Sequence, residues 1–302
     1  MKFVELFYAL LLFFAAAVSG APADIIAAPL AAAAQKQERQ LGPGTRLGLA
    51  VLRPNGAVAA QWRGNERFPL ASTHKALLCA ALLHQADIGA LNLNEQIRIK
   101  ADKAAGYAPI TAKFAGRPMS LRRLCAAAVS HSDNLAANLI SARLGGPPAT
   151  TRFLRQIGDK TTRLDRYEPA LNSAVPGDVR DTTTPLAVSE SLRLLLAGPA
   201  LKPQSRQLLA QWLREDAVAN SLLRAALPKG WVIADKSGAG GHGTRAIIAA
   251  VWPQPKNKAA VTSAPWIIAL YMTETAAPLA ERDKSIAQLG RIIFSAIAQR
   301  PQ

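Results

Sequence analysis

The chain has 302 residues, half of them apolar, which is length enough for one large domain or two intimate ones with a well-filled core. Thirty-six basic against twenty acidic side chains give a formal charge of +16, which raises the question of nucleic-acid binding. The basic residues are dispersed, with no run longer than pairs such as Arg122-Arg123, and aromatics are only 6 %, so that class is set aside in favour of a solvated basic surface. Such a surface draws in anionic substrates or acidic cell-envelope polymers.

The first segment, MKFVELFYALLLFFAAAVSG, carries one leading lysine, Lys2, then an apolar stretch and small residues, and is expected to be a secretory signal cleaved between about Gly20 and Ala23. Its apolar run falls short of the roughly 20 residues that span a bilayer, which argues against an uncleaved anchor. No cysteine lies near the cleavage region, so a lipoprotein is not expected. Residues 21–30 read as an Ala/Pro-rich leader, and AAAAQKQERQLG after it has helical character up to Gly42-Pro43-Gly44. The runs TRLGLAVLRP and AVAAQWRG flank Asn55-Gly56, a turn dipeptide that predicts a hairpin.

From Ser72 to about Glu215 the pattern is helical, with Pro148, Pro185 and Pro203 suited to first turns and Gly145, Gly158 and Gly198 to stops. Strand signals return in WVIADKSG, TRAIIAAVW and WIIALYMT, and a last amphipathic stretch spaces Ile286, Leu289, Ile292, Ile293 and Ile297 helically. There is no internal repeat. Strands, a long helical insert and strands again predict an α/β part built from residues 31–70 and 216–300, a helical part from 71–215, and a cleft between them. Cys79 and Cys125 are the only cysteines, an even count in a chain with an export signal, so they are expected to pair; two buried free thiols are the alternative.

Four motifs carry the chemistry: Ser72-Thr73-His74-Lys75, Ser132-Asp133-Asn134, Glu168 within RYEPALN, and Lys236-Ser237-Gly238. A lone S-x-x-K arises by chance about once in roughly 300 residues and means little, but an S-D-N and a K-S-G following it in order are far rarer. Ser72 and Lys75 stand three apart at the start of an apolar helix, so their side chains share a face and the serine amide is an unsatisfied first-turn donor. The ammonium favours loss of the hydroxyl proton, and the amide suits a developing oxyanion. A hydroxyl at Ser132, between two lysines, suits relay of a proton to a leaving nitrogen.

This set resembles the class A serine β-lactamases, and the likeness runs over roughly residues 40 to 298, through LASTHKALLCAALL, LCAAAVSHSDNLAANL, TRLDRYEPALN, VRDTTTP, LLRAALPKGWVIADKSGAG and APLAERDKSIAQLGRIIF. The resemblance implies an α/β (α+β) fold of the β-lactamase/transpeptidase type, an antiparallel five-stranded sheet with flanking helices beside an all-helical domain. It also implies hydrolysis of penicillins, and of some early cephalosporins, through an acyl-enzyme on Ser72, with Lys75, Ser132 and Glu168 catalytic.

By the same resemblance the oxyanion hole consists of the Ser72 and Ala239 amides. Asn134 holds the acylamino side chain, Glu168 and Asn172 hold the hydrolytic water, and Lys236, Ser237, Gly238 and Arg245 grip the substrate carboxylate. Tyr107 forms a wall of the cleft, while Gly106, Gly240 and Gly241 stand on its rim. Arg166 and Asp181 pair at the neck of an Ω-type loop, residues 166–181, and the Glu168-Pro169 bond is expected to be cis.

Glu168 argues against the nearest rival, a penicillin-binding carboxypeptidase or transpeptidase, which acylates without a base for hydrolysis. A noncatalytic lactam sensor is the rival outside enzymes. His74, His84, His131 and His242 show no metal-ligand spacing, so no metal or cofactor is expected, and His74 and His131 read as packing residues. The expected partners are β-lactam antibiotics, the expected state a monomer, and the expected location periplasmic or secreted.

Overall fold

The computed structural model describes residues 26–100, 106–253 and 264–299. The export signal and the leader as far as residue 25 lie outside the described residues. Helix α1 (Ala27–Gln40) opens the described chain, and it begins inside the stretch read as leader to residue 30. Pro29 falls in the first turn, where an amide would lack a partner anyway, so it does not break the helix, and Ile26 and Leu30 bury in an apolar cluster shared with the sheet.

Strands β1 (Arg46–Leu52) and β2 (Val58–Trp62) form the expected antiparallel hairpin, with Gly56 at φ 87° in its turn. There follow β3 (Phe68–Pro69), α2 (His74–Asp87), β4 (Gln96–Arg98), β5 (Pro118–Ser120), α3 (Leu121–Ser130), α4 (Asn134–Arg143) and α5 (Pro147–Gln156). The chain closes with β6 (Thr182–Thr183), α6 (Pro185–Ala197), α7 (Pro203–Arg214), β7 (Val232–Ala239), β8 (Arg245–Trp252), β9 (Trp266–Thr273) and α8 (Leu279–Ala298). Prolines occupy the first turns of α5, α6 and α7. Ser120, Asp133 and Thr184 cap α3, α4 and α6 by accepting a backbone N–H three residues on.

Five strands make one antiparallel sheet in the order β2-β1-β9-β8-β7. Every residue of β8 and β9 is buried, which is why these strands read as unbroken apolar runs and not as alternation. Their side chains divide between two cores. Ile247, Ala249, Val251, Ile268 and Leu270 bury with residues of α1 and α8 on one face. Ala246, Ile248, Ala250, Ile267, Ala269 and Tyr271 bury on the other with α2 to α7. The pairings β3–β6 and β4–β5, each of two or three residues, stand outside the main sheet. Cys79 of α2 and Cys125 of α3 are disulfide-bonded, with Cα atoms 5.6 Å apart, as the cysteine count led one to expect.

Candidate active site

Ser72 lies in a short 3-10 turn, Ala71–Thr73, that runs directly into α2. Ten consecutive residues of α2, His74 to Leu83, are buried, so the turn is mounted on the centre of the larger core. The residue before the serine, Ala71, has φ 44°, a left-handed conformation that a residue with a Cβ adopts only when its surroundings impose it. Thr73 Oγ1 donates to Leu70 O at 2.6 Å and lies 2.9 Å from the Tyr271 hydroxyl, while His74 Nδ1 is 2.8 Å from Ala71 O. Gly238 of β7 comes against the same turn. A Cβ there would stand 3.0 Å from Ser72 N and 3.1 Å from Ala71 Cβ, so any larger residue would press on the serine turn.

Three residues on, in the first turn of α2, Lys75 Nζ is 2.9 Å from Ser72 Oγ. It is also 2.9 Å from Ser132 O, 3.3 Å from Ser132 Oγ, 2.6 Å from Asn134 Oδ1 and 2.9 Å from Glu168 Oε1. Five oxygens thus surround an ammonium that carries three protons. Burial pushes Lys75 down to about 8, and the Glu168 carboxylate opposes that fall. A lysine so placed changes protonation state easily near neutral pH and touches both a hydroxyl and a carboxylate.

Ser132 and Asn134 reach the lysine because the segment between α3 and α4 turns sharply, with Ser132 at φ 55°. Asp133 secures the turn: it accepts from Ala136 N and Thr111 Oγ1 with one oxygen and from Ile110 N and Thr111 N with the other. Asn134 N donates to Tyr107 O at 2.8 Å, which sets exposed Tyr107 beside the Ser132–Asn134 turn.

Glu168 is brought in by segment 166–181. Its bond to Pro169 is cis, its Oε2 accepts from Asn172 Nδ2 at 2.5 Å, and its backbone is gripped by Asn138, which accepts from Glu168 N and donates to Glu168 O, each at 2.9 Å. At the neck, Asp181 takes the Arg166 Nε at 2.5 Å and the amides of Asp165 and Arg166, while Asp165 takes the Asp181 amide in return.

On the opposite wall, Lys236 is buried, 3.5 Å from Asp216 Oδ2, and donates to Ser237 O at 3.1 Å. Burial lowers its pKa, opposed by the charges of Asp216 and Asp235. Ser237 N donates to Asp216 at 3.3 Å. Arg245, on the neighbouring strand, is held by Asp283 of α8, with Nε 2.6 Å from one oxygen and Nη2 3.3 Å from the other, and its Nη1 donates to Gly238 O at 3.3 Å. Ser221 donates to the same carboxylate at 2.6 Å. The turn after β7 is tied to the Glu168 segment by Gly241 N donating to Asn172 O at 2.8 Å, and a Cβ on Gly240 would meet that oxygen at 2.9 Å.

Ser72, Lys75, Ser132, Asn134, Glu168 and Asn172 are therefore joined by a continuous set of polar contacts. Gly238 abuts the serine, and Lys236, Ser237 and Arg245 follow on β7 and β8. His84, whose ring lies 5.2 Å from that of Phe153 at a tilt of 41°, and the exposed His242 do not join them. Asn138, Asp216 and Asp283 take part without having been singled out in the sequence. Of these only Asn138 carried a signal, four residues after Asn134 and thus on the same helix face.

Comparison with known proteins agrees in family. A family model described as the β-lactamase enzyme family matches residues 30–297. The chain is similar to β-lactamase AER-1 of Aeromonas hydrophila, 43 % identical over 88 % of this chain and 85 % of that one. It is also similar to β-lactamase CARB-3 of Pseudomonas aeruginosa, 44 % identical over 82 % of this chain and 84 % of that one. Among solved structures, an ancestral class A β-lactamase superposes with a TM-score of 0.82 at 46 % identity, over 88 % of this chain and 99 % of that one. The chromosome-encoded β-lactamase of Vibrio parahaemolyticus gives 0.83 at 42 % identity, over 90 % and 100 %.

Proposed function

Because the chain belongs to the β-lactamase enzyme family, in its class A, and hydrolyses the β-lactam ring so as to confer antibiotic resistance, we propose that it acts as a narrow-spectrum penicillinase, with the following division of labour. Ser72 Oγ attacks the lactam carbonyl and its proton passes to the Lys75–Glu168 pair. The oxyanion rests on the Ser72 and Ala239 amides. Ser132 hands a proton to the nitrogen as the C–N bond breaks, leaving the acyl group as an ester on Ser72. Glu168, with Asn172, then takes a proton from water as that water attacks the ester, and Ser72 departs reprotonated. Lys236, Ser237 and Arg245 face the substrate carboxylate, and Asn134 faces the acylamino group. The whole sits where the α/β part, residues 31–70 with 216–300, meets the helical part, 71–215.

One observation carries the hydrolytic reading. Lys75 Nζ stands 2.9 Å from both Ser72 Oγ and Glu168 Oε1, so the carboxylate is a single lysine nitrogen away from the nucleophile that bears the ester. A base in that place separates turnover from the one-time acylation of a penicillin-binding protein or sensor.

The narrow spectrum rests on the rim, where the Gly241 N–H bond to Asn172 O holds the turn after β7 against the Glu168 segment and Gly240 leaves no room there for a Cβ. Compact penicillin side chains fit such a mouth, and bulky oxyimino groups lose transition-state binding in it. On this reading the export signal directs the mature enzyme to the periplasm or outside the cell, where it acts as a monomer. No helix among the described residues is long and apolar enough to cross a membrane. The test is kcat/KM for benzylpenicillin against cefotaxime and imipenem on the purified mature protein. Benzylpenicillin is expected to lead both by far more than tenfold, and a lead within about tenfold, roughly 1.4 kcal/mol, over either contradicts the reading.

A further inference from the structure

His74 stands inside the nucleophile motif, is 2 % exposed, and takes no direct part in the chemistry described above. Its Nδ1 lies 2.8 Å from Ala71 O. A carbonyl oxygen only accepts, so Nδ1 carries the proton and donates. Burial pushes the imidazole down to about 4, with the charges of Glu168, Lys75 and Asp181 acting on it, so the ring is neutral and its proton sits on Nδ1.

The carbonyl that receives this proton belongs to the same peptide unit as the Ser72 N–H. In a planar trans peptide the C=O and N–H point in opposite directions and turn as one body. Fixing Ala71 O therefore fixes the line along which the Ser72 N–H points. A hydrogen bond accepted at the carbonyl also polarises the amide and strengthens its N–H as a donor.

The His74 backbone N–H also donates to Ala71 O, so the imidazole adds a second hold on a strained peptide. Ala71 at φ 44° costs of order 1 to 2 kcal/mol relative to a right-handed conformation. On its other side, Leu70 O is held in the same manner by Thr73 Oγ1 at 2.6 Å, with the Tyr271 hydroxyl behind the threonine. Two side chains of the turn thus grip the two carbonyls flanking the left-handed residue. Thr73 secures the approach to Ala71, and His74 secures the peptide that leaves it and carries the amide of the nucleophile.

We propose that His74 is a positioning residue that aims and polarises the Ser72 amide as an oxyanion donor, through its hydrogen bond to Ala71 O. The inference rests on the reading of that amide as half of the oxyanion hole. An aromatic or aliphatic residue at this position fills the space without supplying the donor.

The probe is benzylpenicillin labelled with carbon-13 at the lactam carbonyl, reacted with full-length exported protein carrying Glu168→Gln so that the ester persists. Infrared difference spectroscopy reads the ester carbonyl, and rapid mixing reads acylation. Without a second change, the band is expected below that of the same adduct after denaturation. Adding His74→Phe should move it up toward the denatured position and slow acylation about tenfold, less than the roughly hundredfold or greater loss when an oxyanion donor is removed outright. His74→Asn, which can present an N–H at the Nδ1 position, should restore both. His74→Leu, too small to clash, serves in the same way if the phenylalanine variant does not fold.

A His74→Phe band and acylation rate equal to the parent's, with the parent band lowered, overturn the role of His74 and leave the oxyanion hole intact. A parent band already at the denatured position overturns the oxyanion reading itself. A fall in thermal midpoint with no movement of the band marks His74 as structural only, and also overturns the proposal.

Discussion

The serine side and the glutamate side of the site are built from different forces. Ser72 stands in the turn that leads into α2 and Lys75 in its first turn; the first ten residues of that helix are buried, and it is tied to α3 by the Cys79–Cys125 disulfide. Glu168 rides on segment 166–181, where Leu171 and Ala174 are buried but Tyr167, Val175 and Val179 are exposed. Its position depends on directed polar contacts through Asn138, Asn172, Arg166, Asp165 and Asp181. Apolar burial is insensitive to small rearrangements of any one partner. A chain of hydrogen bonds around buried charge is not, because each lost partner leaves another group unsatisfied. The acylating half should thus be the robust one and the hydrolytic half the fragile one.

Removing the disulfide with Cys79→Ser and Cys125→Ser together tests the robust side. Closing this loop stabilises the chain by roughly 4 kcal/mol on the chain-entropy argument, so the midpoint of denaturant unfolding should fall strongly. The ratio of acylation to deacylation rates should stay within about twofold, or about 0.4 kcal/mol, since the packing around Ser72 remains. Arg166→Ala tests the fragile side by leaving the buried Asp181 carboxylate without its guanidinium, at a cost of about 3 kcal/mol. Stopped-flow measurement should show deacylation slowed far more than acylation, and equal slowing of both would erase the contrast.

Arg245→Ala should lower kcat/KM for penicillins by about 2 kcal/mol, the scale of a hydrogen bond to a charged group. Deacylation should change little, since the residue lies beyond the glutamate side.

The smallest expected effect is on pH dependence. Lys75 is displaced to about 8 by burial, with the Glu168 carboxylate raising it against that trend. The neutral amine therefore grows in as pH rises through about 8. Glu168→Gln removes the charge that favours the ammonium, so the rise in acylation rate with pH should move to lower pH. A limb that stays in place would mean the carboxylate does not act on the lysine.

What the sequence made legible was what short spacing encodes. Ser72 and Lys75 are one helical turn apart, and β8 and β9 are continuous apolar runs between breakers. The start of α1 was hidden by Pro29, which reads as a breaker until burial of Ile26 and Leu30 is known. The pairings β3–β6 and β4–β5 are too short to show a period. Asp216 and Asp283 reach Lys236 and Arg245 across 20 and 38 residues of chain, and a carboxylate met so far along the sequence looks like any solvated charge. The same holds for His74, whose donor role depends on the left-handed turn at Ala71 and not on its place in the motif.

The two sides separate most directly when the Glu168→Gln protein is mixed with benzylpenicillin and its intact mass is followed. One penicilloyl group per molecule is expected, located on Ser72, forming within about tenfold of the parent's acylation rate and clearing at least about a thousandfold more slowly, a difference of roughly 4 kcal/mol. An adduct that clears as fast as the parent's, or none at all, would contradict the separation of an acylating serine side from a hydrolysing glutamate side.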